Sequence, residues 1–311
     1  SAVAMPRRVG ASCESRQLLH EEGFDDGAGL VRVIGRGPAR QLWFAPARSG
    51  GGEPQLQTEV VLRRTPPADG GVGTSPQPGA YAVDVAASLR RTPYLRRMAE
   101  ILVSRASFGR VLVLGLGGGL LPLALLEAGA AEIVVVERSA LILPLARKFF
   151  GVQEAASRLS VIHGDAENLV GAREGAFDAC AIDVFDGCSW RLPNFTLSAR
   201  FHLALRRLLR PGSPVVQNAL GHSGDVLEVG CRPTERRCSV RSGDVVKCHV
   251  WRRGAAPRGP LLPATFPRRN KAADQLAQLT AAYREAYGGN VLVHRPCLWA
   301  PSRVVEGQVP D

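Results

Sequence analysis

Across 311 residues the chain has no apolar run approaching the roughly 18 consecutive residues that a membrane span requires, although 45% of it is hydrophobic. The expectation is a soluble, intracellular protein, cytoplasmic or organellar. Residues Ser1 to Arg16 carry three arginines and lack the apolar core of a secretory signal. Because the first residue is Ser and not Met, a removed targeting segment stays open. Cysteine is scarce and irregular: seven residues, an odd number, without a repeated short spacing. That excludes a disulfide framework and suggests reduced, mostly buried thiols, with Cys180, Cys188 and Cys297 in or beside apolar segments. Cys231, Cys238, Cys248 and His249 match no paired-ligand motif, so no metal is expected. Aromatic residues make up only 6% and no RNA-binding motif is present, which makes nucleic acid the weaker choice of partner.

What the chain does have is positive charge. The net +11 rests largely on arginine pairs such as Arg63-Arg64, Arg90-Arg91, Arg96-Arg97 and Arg206-Arg207. Spread in this way, they read first as a solvated surface. The sharper alternative is attraction to RNA, an acidic protein or an anionic membrane face.

The length accommodates a large domain and a smaller one. Residues 1–28 read as a tail. Between 29 and 87, the segments LVRVIG, RQLWFAP and LQTEVVLRR alternate with Gly- and Pro-containing turns, predicting a small antiparallel β-domain with a turn-rich loop over 65–79. Apolar residues at near-helical spacing from Ser88 to Ser104 predict a helix that leads into the next unit. From 88 to 220 the pattern becomes apolar strands alternating with amphipathic helices. The strands are VLVLG at 111–115, EIVVVE at 132–137, LSVIHG at 159–164, ACAID at 179–183 and PVVQN at 214–218. Strands apolar throughout imply a parallel sheet covered on both faces, with any ligand beyond their carboxyl ends. Residues 221–270 read as an irregular Arg/Gly/Pro-rich insertion. Residues 271–311 read as a helix and strands that complete the sheet, with His294 structural.

The strand ends carry the chemistry. After the first strand come Gly115-Leu116-Gly117-Gly118-Gly119, a tight turn that lets a ligand approach amides at a helix N-terminus. The run misses the dinucleotide fingerprint, because Leu120 stands where a third glycine belongs. Glu137 ends the second strand, 22 residues after Gly115, where a carboxylate accepts from ribose hydroxyls. Asp165 follows the third and could accept from an adenine amino group. The alternatives are a plain turn, a solvated carboxylate for Glu137 and a helix N-cap for Asp165. Asp183 and Asp186 follow the fourth strand. Such a pair can ion-pair with a cationic amine or take its proton, since attack on a sulfonium carbon needs a neutral nitrogen lone pair; the alternative is a chain reversal at Asp186-Gly187.

RVLVLGLGGGLLPLAL, EIVVVERSALILPLARKFFG, RLSVIHGDAENLV and FDACAIDVFDG, with the Leu-Arg-Pro-Gly turn before PVVQN, resemble a spermidine synthase-like domain of the class I S-adenosylmethionine-dependent methyltransferase superfamily. QLQTEVVLRR and PYLRRMAEIL resemble its N-terminal β-domain and the helix entering its catalytic fold, so the likeness spans roughly 30–220. The resemblance implies an α/β, Rossmann-like methyltransferase/spermidine synthase fold with a small N-terminal antiparallel β-domain. It implies a pocket for S-adenosylmethionine, or decarboxylated S-adenosylmethionine as co-substrate, at Gly115, Gly117, Gly119, Glu137, Asp165 and Asp183. In aminopropyltransferases of this kind the loop reads Gly-Gly-Gly-Asp-Gly-Gly, its Asp helping to hold the decarboxylated donor; here Gly118 stands at that Asp. Loops of the form Gly-Leu-Gly-Gly-Gly-x-Leu-Pro are similar to those of spermidine synthase-like methyltransferases, including ones that modify a translation elongation factor. Asp183 and Asp186 nevertheless keep the spacing of the carboxylates that serve polyamine synthases.

Three functions follow, in order. The first is a methyltransferase with catalytic Asp183 and Asp186 and an acceptor, a protein or a small amine, near Tyr94 and Trp190. The second is a polyamine aminopropyltransferase. The third is a non-catalytic binding or assembly subunit, within a homodimer or larger assembly.

Overall fold

The computed structural model describes residues 16–24, 27, 29–47, 54–64, 81–105, 109–152, 158–170, 177–185, 191–220, 269–287, 292–294 and 302–308. The expected loop at 65–79, Asp186, Trp190 and all but the last two residues of the insertion expected at 221–270 lie outside them; those two, Arg269 and Asn270, begin a helix.

The first sheet is an antiparallel meander of β1 (Gln17–Gly23), β2 (Gly29–Arg36), β3 (Ala39–Pro46), β4 (Gln55–Arg64) and β5 (Tyr81–Asp84), in that spatial order. Its first strand falls inside the stretch read as a tail. Burial in β2 alternates residue by residue, so Val31 and Val33 face inward while Leu30 and Arg32 do not; that is the period of a half-covered sheet. The Ser88–Ser104 stretch forms two helices, α1 (Val85–Arg91) and α2 (Pro93–Arg105). Asp84 caps α1 by accepting from the Ala87 N–H at 2.8 Å, and Pro93, at the first position of α2, has no N–H to leave unpaired. The Ser88 hydroxyl accepts from the Val61 N–H at 2.8 Å, tying α1 to β4.

The second sheet has seven strands: β6 (Arg110–Leu114), β7 (Glu132–Glu137), β8 (Leu159–His163), β9 (Ala179–Ile182), β10 (Pro214–Leu220), β11 (Leu292–His294) and β12 (Ser302–Gln308). Their spatial order is β11-β12-β10-β9-β6-β7-β8. β6 through β10 pair in parallel, whereas β12 runs antiparallel to both β10 and β11. The helices α3 (Leu120–Glu127), α4 (Ile142–Phe149), α5 (Ala166–Val170), α6 (Ala199–Leu208) and α7 (Arg269–Tyr287) join or flank the strands. After β8 the chain crosses to the other side of β6, so the order reverses between β6 and β9, and the ligand crevice of such sheets opens at that point.

Both faces of this sheet are covered. Val111, Val113, Ile133, Val135, Ala179 and Ala181 pack on one side with Met98, Leu102 and Leu125. That cluster also contains Val31, Val33, Leu42 and Val60, so the small sheet and the large domain share one core. Leu112, Leu114, Val134, Cys180 and Ile182 pack on the other side with Phe201, Leu205 and Tyr283. Cys180 is free and buried, as expected of a reduced thiol.

The second core holds a polar knot. His202 of α6 is fully buried; its Nε2 donates to the Thr196 carbonyl at 2.8 Å and its Nδ1 lies 3.3 Å from the Tyr287 hydroxyl. Tyr283 donates to Gln217 Oε1 at 3.2 Å. Burial is the main influence on His202, lowering its pKa from 6.5 to about 4, and the Thr196 bond pulls back only in part. The unfolded chain therefore takes up the proton first, and stability falls as pH drops from 6.5 and levels off below about 4. The difference corresponds to about 3 kcal/mol. Urea unfolding of wild type and His202→Gln across pH 7 to 4 is expected to lose that part of the acid slope in the variant.

Candidate functional site

The loop after β6 sits at the reversal point. Gly115, Gly117 and Gly119 have φ of 92°, 53° and 74°, in the left-handed region, and Gly119 caps α3. At Gly115 glycine is also required by space, because a Cβ there would lie 2.3 Å from the Asp183 carbonyl oxygen. β6 and β9 meet at this point.

Four amides of this loop are engaged within the protein. The Gly115 N–H donates to the Val136 carbonyl at 2.8 Å and the Gly119 N–H to the Leu116 carbonyl at 2.8 Å. The Leu116 N–H donates to Glu137 Oε2 at 2.9 Å. The Gly118 N–H donates to the Thr58 hydroxyl at 3.0 Å. Carbonyls, a carboxylate and a hydroxyl of the protein take the hydrogens at these four positions.

Glu137 stands half-buried at the end of β7, its Oε1 accepting from the Ser139 N–H at 2.8 Å. Burial raises its pKa, while the Ser139 and Leu116 N–H groups and the nearby Arg138 charge pull it back. Its carboxylate thus braces the loop from the crevice side. Asp165 follows β8, and its Oδ1 accepts from the Glu167 N–H at 2.8 Å, the arrangement of a helix cap on α5. Its Gly164 neighbour donates to the Glu137 carbonyl at 2.9 Å, which keeps the two strand ends together.

Asp183 ends β9 beside Gly115, and its N–H donates to the Leu114 carbonyl at 2.9 Å. Its Oδ1 accepts from Asn218 Nδ2 at 2.9 Å. Burial raises its pKa from 3.8 to about 6, against the opposing pull of the Asn218 bond. Tyr94, on α2, is pushed up by burial and then by the Asp183 charge, which places the phenol and the carboxylate in one region. The Tyr94 hydroxyl donates to the Gln57 carbonyl at 3.4 Å, a long bond.

Two residues the sequence reading did not single out, Thr58 and Asn218, belong to this constellation. Thr58 is 5% exposed and shares the inward register of Val60 on β4; a polar residue on the inward side of an alternating strand was the available signal. Asn218 closes an apolar strand next to Asp183, a position only the sheet order reveals. Asp178 opens β9 at the opposite end; it accepts from the Arg110 N–H at 2.6 Å and pairs with Arg210, so it is structural. Among the described residues no cluster of His, Cys, Asp and Glu could hold a metal ion.

The glycine turn and the three carboxylates stand at strand ends of an open α/β sheet, on the side where sheets of this kind place their ligands. No model of a known protein family matches the chain, and no curated protein does. Solved structures do share its fold. The structure of a probable spermidine synthase from Corynebacterium glutamicum superposes with a TM-score of 0.55 at 16% identity, over 94% of this chain and 79% of that one. A spermidine synthase in complex with the transition state analogue AdoDATO gives 0.52 at 12% identity, over 94% and 73%. Spermidine synthase from Thermotoga maritima gives 0.51 at 11% identity, over 94% and 72%. The chain has the Rossmann-like methyltransferase/spermidine synthase fold, with the small antiparallel β-domain in front of it.

The Thr58 contact is testable as a structural tie. Thr58→Val keeps the shape and leaves the buried Gly118 N–H without a partner, a loss of about 1–3 kcal/mol in denaturant unfolding. Thr58→Ser, which keeps the hydroxyl, is expected to lose less; equal losses in both would mean that the hydrogen bond contributes nothing.

Proposed function

We propose that the chain binds S-adenosylmethionine at the ends of β6 to β9 and transfers its methyl group to an amine of a protein or small molecule. The observation that carries this reading is the charge of the crevice: Glu137, Asp165 and Asp183 stand around a loop whose amides at 115, 116, 118 and 119 are spent on the protein itself. A pyrophosphate needs donors and is repelled by carboxylates. A sulfonium nucleoside is cationic and meets the opposite conditions. A spermidine synthase solved in complex with the transition state analogue AdoDATO has the same fold, which supports a group-transfer enzyme in the coarser sense.

When bound, the donor supplies an electrophilic methyl carbon on a sulfonium, from which a neutral thioether departs. The chain's own part is to hold and orient. Glu137 can accept from ribose hydroxyls with lone pairs that the Leu116 and Ser139 amides leave available, since a carboxylate offers about four acceptor sites. Asp165, besides capping α5, can accept from an adenine amino group. Asp183 takes the proton that the attacking amine gives up; its pKa, raised by burial to about 6, makes it a stronger base than an ordinary aspartate and leaves it ionised at neutral pH. Tyr94 lines the same region, and Asp186 and Trp190 are retained as a second carboxylate and an acceptor contact on sequence grounds alone.

The aminopropyl alternative draws support from the solved structures, which are spermidine synthases. Position 118 speaks against it. A Cβ there would lie 2.8 Å from Thr58 Cγ2 and 3.0 Å from Phe150 Cδ1, so the acidic side chain of aminopropyltransferase loops has no room. No helix among the described residues is long and apolar enough to cross a membrane.

Calorimetric titration separates the readings. S-adenosylmethionine is expected to bind at least as tightly as its decarboxylated form; a tenfold preference for the latter, about 1.4 kcal/mol, would favour aminopropyl transfer. Glu137→Gln, which keeps one acceptor oxygen for the loop, is expected to weaken donor binding by about 1.5–3 kcal/mol. Asp183→Asn is expected to lower turnover by about 10²–10⁴-fold, well beyond any weakening of donor binding. In wild type, turnover is expected to rise with pH through about 6 as Asp183 loses its proton; a flat profile there removes Asp183 from the base role.

A further inference from the structure

The outer side of α6 carries charge that the chain itself does not answer. Phe201, His202, Leu205 and Leu208 turn into the core, and the opposite side of the helix shows Arg200, Leu203 and Arg207. Spaced three and four residues apart, these line one face. Leu203 is 41% exposed. The helix sequence ARFHLALRRL contains no carboxylate. Arg206 is turned toward α7, where it donates to the Ala286 carbonyl at 3.3 Å. Arg200 and Arg207 form no ion pair or hydrogen bond among the described residues. On α2, by contrast, Arg96 and Arg97 both reach Glu100, at 3.5 and 3.3 Å, and Arg210, just beyond α6, pairs with Asp178. Arg200 also lies in the first turn of α6, where the aligned peptide dipoles present positive charge and disfavour a cation.

We propose that this face is a docking surface for an acidic helical segment of another protein, two of whose carboxylates meet Arg200 and Arg207 and enclose an apolar residue that covers Leu203. The spacing carries the choice of partner. Arg200 and Arg207 stand seven residues apart, which is about 10 Å along the axis at ~1.5 Å per residue. An antiparallel helix meets them with Asp or Glu at i and i+7 and faces Leu203 with an apolar side chain at i+4. Closing that contact takes Leu203 out of water and gives each guanidinium a carboxylate of matching planar geometry. Phosphates of a nucleic acid also answer arginines, but no aromatic side chain stands in the stripe to stack a base. An anionic membrane is held by clusters of about four to eight basic residues, and the stripe has only Arg200 and Arg207. The net charge of +11 draws an acidic partner from a distance, and the stripe fixes where it seats. None of these residues belongs to the donor or acceptor contacts proposed above, so the docking face stands or falls apart from the transfer reaction.

General attraction to a basic chain makes any two exposed arginines count alike, whereas a seated helix makes only this stripe count. Salt weakens both kinds of contact, because exposed charges are screened over about 8–10 Å near physiological ionic strength. Exchange of charge across the contact separates them.

The test uses the full chain at low salt and a fluorescein-labelled, alanine-based helical peptide with Glu at i and i+7 and Leu at i+4, followed by fluorescence anisotropy. Wild type is expected to bind the peptide saturably. Arg200→Gln/Arg207→Gln is expected to bind it about tenfold more weakly or worse, and Leu203→Ala about threefold more weakly. Arg96→Gln/Arg97→Gln, on α2, is expected to stay within about twofold of wild type. Arg200→Glu/Arg207→Glu is expected to reject the glutamate peptide and bind its lysine counterpart. Peptides with Gln for Glu, or Ala for Leu, read the same contacts without altering the chain, and are expected to lose binding in parallel. No saturable binding by wild type, or an equal loss in the α6 and α2 variants, overturns the docking face. Tighter binding of oligouridylate or of phosphatidylserine vesicles, abolished by Arg200→Gln/Arg207→Gln, overturns the choice of a polypeptide. A dimer in sedimentation that Leu203→Ala dissociates gives the face to a second copy of the chain and overturns it as well.

Discussion

The loop at 115–119 is held by protein atoms on every side where its conformation could relax, and the crevice has its shape because of this. Gly115 meets the Asp183 carbonyl, Glu137 takes the Leu116 N–H, and Thr58 takes the Gly118 N–H. These three contacts come from β9, β7 and β4, so one turn couples two strands of the large sheet to a strand of the small one. A carboxylate buried against such a turn has its geometry fixed before any ligand arrives, and transfer reactions depend on that kind of positioning.

The small β-domain is therefore part of the site. Its inward valines share a single core with the large domain, and the price of placing Thr58 inside that core is recovered by the buried hydrogen bond to Gly118. A threonine there does two things at once. Its hydroxyl satisfies the buried Gly118 amide, and its methyl occupies the volume that a side chain at 118 would need.

Much of this was legible in the sequence, for physical reasons that can be named. Strands apolar on both faces, such as Ile133 to Val136, announce a covered parallel sheet, and the parallel order of β6 to β10 agrees. Gly115 and Glu137 were legible because strand ends and glycine turns leave local signatures. The roles of the amides at 115, 116 and 118 were not, since their acceptors lie on β7 and β4, one of them 60 residues away. Asn218 was hidden for the same reason: its meaning comes from lying level with Asp183, 35 residues earlier. The division of Ser88–Ser104 into two helices was in principle readable at Thr92-Pro93, where proline disfavours helical geometry in the residue before it.

Two buried titratable groups in the same domain respond to acid in opposite senses, and the contrast separates structure from chemistry. His202 is neutral in the fold with its pKa lowered, so the fold loses stability as pH falls from 6.5 toward 4. Asp183 has its pKa raised to about 6, so its ionised form burdens the fold at neutral pH and protonation relieves that burden on acidification. His202 has both ring nitrogens engaged and serves packing. Asp183 is ionised at neutral pH, half-buried, with the Asn218 amide as partial compensation, and the Asn218 Oδ1 beside it has no partner among the described residues. The arrangement stands where the strand order reverses, between β6 and β9.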